Sequence, residues 1–309
     1  MSEGPLNEPA LSRGAQARVL LPFALVTLIW GGTWLVIRDQ LGTVPPSWSV
    51  SYRFVVASAA MFVFARATRS RLRLTARDQL FAALIGFSLF FLNFNLVYRA
   101  EARITSGLVA LIFALLVVPN ALLSWIFLRQ GVSRRFLAGA GVALAGLALL
   151  LAHEIERAPL NGGTMLGIGL TLAAVLAASV ANVMQATSRA RSLPMPTLLA
   201  WAMLWGALID AAWAWITTGP PTFDLRLSYV AGLLYLGILA SAVAFSLYFG
   251  IIRRIGPGRA AYTSVLVPPI AMTLSTIFEG YRWSWETATG CALTLLGLLI
   301  SLRARSPAR

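Results

Sequence analysis

The chain alternates long apolar runs with short breaks rich in Arg, Pro and Gly. Runs of about 20 mostly apolar residues have the length that crosses the hydrocarbon core of a bilayer. Bounded at the breaks, they predict helices near residues 19–37, 48–65, 78–98, 104–127, 135–152, 163–187, 196–216, 228–252, 260–278 and 285–302. The expected fold class is therefore an all-α membrane protein with ten transmembrane helices. Only a few residues around Glu101 join the third run to the fourth, so these two should form a tight hairpin.

The polar positions between the runs set the orientation. With the N-terminus in the cytoplasm, 18 Arg residues fall on that side, including the cluster Arg66, Arg69, Arg71, Arg73 and Arg77. The opposite side holds six, namely Arg38, Arg99, Arg103, Arg157, Arg226 and Arg282, and Arg53 lies inside a span. Short cytoplasmic loops carry the basic excess in membrane proteins, so both termini should be cytoplasmic. Residues 1–18 mix Glu3, Glu8, Arg13 and Arg18 with Gly and Pro and read as a tail, as do residues 303–309. The first apolar run is too long for a signal-peptide core and reads as the first membrane helix.

Composition agrees: 58% of residues are hydrophobic, 12% are charged and mean hydropathy is +0.77, whereas a soluble domain carries about a quarter charged residues. The net charge of +14 would raise the question of nucleic acid, but the basic residues sit as orientation signals in loops and form no binding face. No nucleic-acid partner is expected; the partners are the lipid bilayer and a small-molecule solute. Cys291 is the only cysteine and His153 the only histidine, so the chain can form no internal disulfide, and the His153–Glu154 pair lacks the second His of a zinc motif. With no mid-span carboxylate pair and no Gly-rich phosphate loop, the chain offers no enzyme chemistry, and neither metal nor cofactor is expected.

Sliding the chain against itself by 150 residues sets Tyr98 on Tyr248, Arg103 on Arg253, Ala110 on Ala260 and Pro119 on Pro269, where the span pattern also superposes. This is the mark of a duplication, with a first five-helix unit at 19–152 and a second at 163–302. Five is odd, so the second unit should enter the membrane from the other face. The outcome is an inverted repeat of the kind that builds alternating-access carriers around a midplane site.

Several local motifs resemble a known family. Trp30-Gly31-Gly32-Thr33 followed by Arg38, then Pro45-Pro46 and Arg53-Phe54, is similar to the first part of an EamA unit. Arg253-Arg254-Ile255-Gly256-Pro257-Gly258-Arg259-Ala260-Ala261, then Pro268-Pro269 and Glu279, resembles the end of a second unit. The resemblance to the EamA family of the drug/metabolite transporter superfamily covers nearly the whole chain. It implies a ten-helix, five-plus-five inverted carrier of the bacterial inner membrane in which helices 1, 3, 4, 6, 8 and 9 surround a central cavity. Helices 2 and 7 would be more peripheral, with 5 and 10 outermost. It further implies movement of small organic solutes, often outward, as in bacterial amino-acid and metabolite exporters. The chain departs from the family pattern at Arg129 and Gln130, where the first unit usually carries Glu.

Helical spacing then selects candidate substrate-binding residues. Ser88, Phe91, Asn95 and Tyr98 share one face of the third span, and Ser241, Phe245 and Tyr248 share the matching face of the eighth. Trp30 and Trp34 lie with Phe23 and Thr27 on one face of the first span, and Ser179, Asn182 and Gln185 must face protein or cavity because lipid cannot satisfy them. Trp201, Trp205, Trp213 and Trp215 read as packing or belt residues. Gly31 and Gly32 weaken the first helix, and Pro119, Pro268 and Pro269 interrupt the fourth and ninth; these are candidate hinge or gate positions, or static bends that shape the cavity. Gly139, Gly141, Ala145 and Gly146 in the fifth span and Gly290 and Gly297 in the tenth permit close helix packing, expected within a monomer.

The in-span ionisable residues Arg53 and Asp210 fall near the outer ends of their helices, within snorkelling reach of the interface. Without a core proton relay, the expectation is a uniporter or exchanger, with a proton-coupled exporter or a solute channel as the alternatives. The aromatic and neutral polar lining points to an amino acid with an aromatic or larger apolar side chain, whose ammonium group aromatic faces attract.

Overall fold

The computed structural model describes residues 13–131, 133–157 and 162–303. Most of the two predicted tails, 1–18 and 303–309, lies outside them. The described residues form helices and no strand, numbered here as α1 (Arg13–Gln40), α2 (Pro46–Ala67), α3 (Ala76–Glu101), α4 (Ser106–Leu128), α5 (Arg134–Arg157), α6 (Gly163–Gln185), α7 (Met195–Thr218), α8 (Leu227–Ile255), α9 (Tyr262–Phe278) and α10 (Trp285–Arg303). Each overlaps a run predicted from the sequence. Two short helices, Ser188–Ser192 and Pro257–Ala260, fall in stretches read as connections. Among the described residues α1 to α4 and α6 to α8 contain seven stretches long and apolar enough to cross a membrane, and α9 and α10 hold shorter ones.

Local chemistry fixes where the helices begin and end. Pro46 opens α2 at the position where a missing N–H costs nothing. Thr75 caps α3, its hydroxyl accepting from the Asp78 N–H and donating to the Asp78 carboxylate. Gly256 closes α8 at φ +83, a conformation that favours glycine, and Pro257 follows it.

The outer surface is apolar. Leu28, Val63, Phe127 and Ile216 are 66%, 70%, 71% and 78% exposed; on α1, α2, α4 and α7 such side chains meet lipid tails. Packing inside follows the duplication. The helices α5 and α10 run against each other, as do α2 and α7, while α1 packs on α8 and α9 and α6 packs on α3 and α4. Gly146 and Gly297 make the α5–α10 contact close: a Cβ on Gly297 would stand 2.2 Å from Ala143 N, and one on Gly146 would stand 2.5 Å from Thr294 N.

Two helices are not regular. Both α3 and α8 carry a π-helical segment, at Gly86–Asn93 and Tyr235–Val243, and the two coincide under the 150-residue offset. In α4 a 3₁₀ turn at Ala114–Leu116 lies where Pro119 would clash with the carbonyl one turn back.

Candidate functional site

Between α1, α3, α4, α6, α8 and α9 lies a cavity of about 90 Å³. The first helix contributes Trp30, Thr33, Trp34 and Ile37, and the third contributes Leu89, Asn93, Phe94 and Val97. Phe113 enters from α4, Asn182 from α6, Phe245 and Tyr248 from α8, and Thr263 and Ser264 from α9. Arg53 of α2 closes one wall. These are the six helices expected around a central cavity, with one addition.

An aromatic cluster forms the wall. The Trp30 ring lies 5.0 Å from Tyr248 and 5.2 Å from Phe245, and Trp34 lies 5.4 Å from Phe113. The π segments hold this wall in place. In α8, the Ala240 carbonyl accepts from Trp30 Nε1 at 3.0 Å and the Ser241 hydroxyl accepts from Arg53 Nε at 2.9 Å. Tyr235, in the same segment, donates its hydroxyl to the Ile29 carbonyl at 2.7 Å. In α3, Ser88 and Asn93 donate to the Ala177 and Ala174 carbonyls of α6 at 2.7 and 2.8 Å. A π turn frees backbone groups and redirects side chains, and such segments recur at functional sites.

Of the candidate residues, Trp30, Trp34, Asn182, Phe245 and Tyr248 line the cavity. The structure places the other candidates in contacts between helices. Ser88 bonds to α6 as above. Phe91 packs on Phe87 and Trp213 towards the periphery, at 5.4 and 6.3 Å. Asn95 accepts from Ser47 Oγ at 2.6 Å and donates to the Asp210 carboxylate. Tyr98 donates to Gln40 Oε1 at 2.9 Å, Ser179 donates to Asn120 Oδ1 at 2.7 Å, and Ser241 holds Arg53. In α3 the face towards the cavity carries Leu89, Asn93, Phe94 and Val97, and it adjoins the predicted set Ser88, Phe91, Asn95 and Tyr98.

Among the hinge candidates, Gly31 permits the crossing of α1 and α9, where a Cβ would meet Ile270 at 2.7 Å, and Gly32 faces the Tyr235 hydroxyl. Pro119 follows the 3₁₀ turn of α4, and Pro268 and Pro269 lie within α9.

Sequence reasoning missed three ionisable groups. It set Arg53 within reach of the interface, but its side chain is 1% exposed and borders the cavity, with the guanidinium 4.3 Å from the Phe94 ring centroid. Glu101, read as a hairpin residue, ends α3 and is fully buried. Asp210 is also fully buried, against Asn95. Glu279 gathers one end of the bundle: it accepts from Ser106 N and Oγ at 3.2 and 2.8 Å and from Ser275 Oγ, and pairs with Arg38 Nε at 3.8 Å. Arg38 also donates to the Glu101 backbone carbonyl. Arg38 and Glu279 both belong to the motifs that carry the family resemblance, which was the signal available for this cluster. At the opposite end Arg253 donates to the Leu193 carbonyl and to Gln185 Oε1, at 3.2 and 3.4 Å.

A multi-pass bundle with a lipid-facing exterior, built around an aromatic cavity, is the architecture of a membrane transporter, not of an enzyme. A model of the EamA-like transporter family matches residues 18–152 and, again, 165–303. The chain belongs to that family, within the drug/metabolite transporter superfamily, and consists of two copies of its unit. Protein PagO of Salmonella typhimurium is 27% identical over 284 residues, covering 92% of each chain. A "Probable amino-acid metabolite efflux pump" of the same organism is 27% identical, covering 92% of this chain and 96% of that protein. One known crystal structure shares the fold, with a TM-score of 0.68 at 20% identity, covering 93% of this chain and 98% of that one.

Proposed function

We propose that the protein exports small organic solutes, amino acids with aromatic and larger apolar side chains among them, by alternating access through the cavity described above. The observation that carries this reading is the wall itself: Trp30, Trp34, Phe113 and Phe245 offer apolar and π faces, and Asn93, Asn182, Tyr248 and Thr263 offer neutral polar groups. Apolar cavities with a few placed polar groups suit ligands of that mixed kind. The relative called an amino-acid metabolite efflux pump supports the same class.

In this reading ten helices span a bacterial plasma membrane as an inverted five-plus-five repeat. Support comes from the helix ends. The first helix ends beside Glu279, whereas its counterpart α6 ends at Gln185, beside Arg253 at the other end of the bundle. The Arg distribution supports cytoplasmic termini. Gly31, Gly32, Pro119, Pro268 and Pro269 serve as bending points between inward- and outward-open forms, and the monomer is the working unit. The carrier runs as a uniporter or exchanger on the solute's own gradient.

The test is counterflow in proteoliposomes with leucine, phenylalanine, threonine and glutamate. Labelled phenylalanine should accumulate transiently against unlabelled phenylalanine inside, without an imposed pH gradient. A channel gives no counterflow, and a protein that moves none of the four is not the exporter proposed. One observation favours the proton-coupled alternative: the buried Glu101 carboxylate, among the described residues, has no hydrogen-bond partner at either oxygen and could take up a proton. Strict dependence on a pH gradient, abolished in Glu101→Gln, would establish that coupling instead.

A further inference from the structure

Among the described residues bordering the cavity, Arg53 alone is charged. Its Nε donates to Ser241, the guanidinium plane lies against Phe94 at 4.3 Å, with Phe54 at 5.5 Å, and the Tyr98 hydroxyl approaches it. Among the described residues no carboxylate forms an ion pair with it, and its Nη1 has no hydrogen-bond partner. Glu101 acts on it through space but does not touch it. A buried, unpaired cation is costly in a membrane interior, where such groups mark substrate and ion pathways.

Two further wall residues carry unused polar atoms. Trp34 Nε1 has no partner, and the Tyr248 hydroxyl approaches Asn120 without completing a hydrogen bond. Indole and guanidinium nitrogens can only donate, and a phenol can donate. A cavity whose unsatisfied groups are donors, one of them cationic, calls for an acceptor bearing negative charge. The wall offers no second cation for a phosphate dianion, and a single Arg matches a carboxylate.

We infer that Arg53 is the carboxylate subsite of the cavity: Nη1 receives the solute's carboxylate, with the Trp34 and Tyr248 donors available to it, while the aromatic wall takes the apolar side chain. This deepens, and in its amino-acid form rests on, the export reading above. It makes Arg53 a selectivity determinant for acids over their uncharged or decarboxylated analogues.

The experiment measures inhibition of labelled-phenylalanine counterflow by phenylalanine, phenylalaninamide and 3-phenylpropionate, with wild type, Arg53→Gln and Arg53→Lys reconstituted in liposomes. Wild type should prefer phenylalanine over its amide by at least about tenfold, the factor set by 1.4 kcal/mol. Arg53→Gln should bring the two within about twofold by weakening the acid alone, and Arg53→Lys should keep part of the preference. Where Arg53→Gln fails to insert, Arg53→Lys and the wild-type acid-to-amide ratio decide. A wild type that does not discriminate, an Arg53→Gln that keeps the full ratio, or equal loss for acid and amide would overturn the assignment, the last pointing to a purely structural tie between α2 and α8. Direct uptake of labelled phenylpropionate separates the two readings. If it is carried while amino acids are not, the subsite stands and the amino-acid class falls; if neither is carried, both fall.

Discussion

Asn95 and Phe245 behave differently although the sequence presents them alike. Both sit on faces spaced for an α-helix, yet Phe245 borders the cavity while Asn95 turns to Ser47 and Asp210. Among the described residues, removing the Asn95 amide leaves the buried Asp210 carboxylate without a partner and the Ser47 hydroxyl with Arg99 alone, which costs roughly 1–3 kcal/mol. Asn95→Ala should therefore lower thermal stability in detergent, and the folded fraction should retain its transport rate; a stable variant that has lost transport would contradict this placement. Trp30 and Tyr248 were legible because aromatic residues at helical spacing mark one face of each helix. Asn93 and Phe94 were not, because the face of α3 was chosen by its polar residues, and Ser88, Asn95 and Tyr98 are taken up by bonds to neighbouring helices. Arg53 was hidden for another reason: its distance from the start of α2 suggests an interface, whereas Ser241 and Phe94 draw the side chain inward.

At the level of the helix, apolar length and Arg, Pro and Gly breaks located each of α1 to α10, with ends off by as much as the stretch from residue 13 to residue 19 at the start of α1. Which small residues matter was not readable from the run Gly139, Gly141, Gly146, since all are equally small. The structure separates them. Gly297 meets the backbone of Ala143 and Gly139, which cannot yield as a flexible side chain would, whereas Gly141 has open space around it. Gly297→Ala should force α5 and α10 apart and destabilise by about 1–3 kcal/mol. Gly141→Ala should be neutral or gain up to about 1 kcal/mol of helix propensity. Thermal unfolding of both variants in one detergent checks the pair; equal midpoints would mean that the α5–α10 contact is looser than described.

The duplication is the property of the whole molecule, and four paired residues 150 apart made it visible before the helices were placed. The asymmetry between the units is as informative. In the second unit Glu279 binds the start of α4 and Arg38 of α1, whereas the first unit has Arg129 and Gln130 at the matching place. The Glu279 cluster ties α1, α4 and α9 together at the end that the proposed orientation sets outside the cell. Glu279→Ala should raise labelling of a cysteine introduced by Thr33→Cys, in a Cys291→Ala background, by severalfold when a membrane-impermeant thiol reagent is added from that side. Unchanged labelling would remove Glu279 from the closure. The orientation itself is checked by reporter fusions at Met1 and Arg309, both expected to report from the cytoplasm.

The central claim is that solute passes through the six-helix aromatic cavity, and it is tested most directly by phenylalanine counterflow in proteoliposomes bearing wild type, Phe245→Ala, Tyr248→Ala or Phe91→Ala. Truncating a wall side chain removes contact worth on the order of 1–3 kcal/mol, a factor of about ten or more in apparent affinity. The account predicts that loss for Phe245→Ala and Tyr248→Ala and near-normal flux for Phe91→Ala, which lies towards the periphery. Normal flux in both wall variants, or a loss confined to Phe91→Ala, would contradict it.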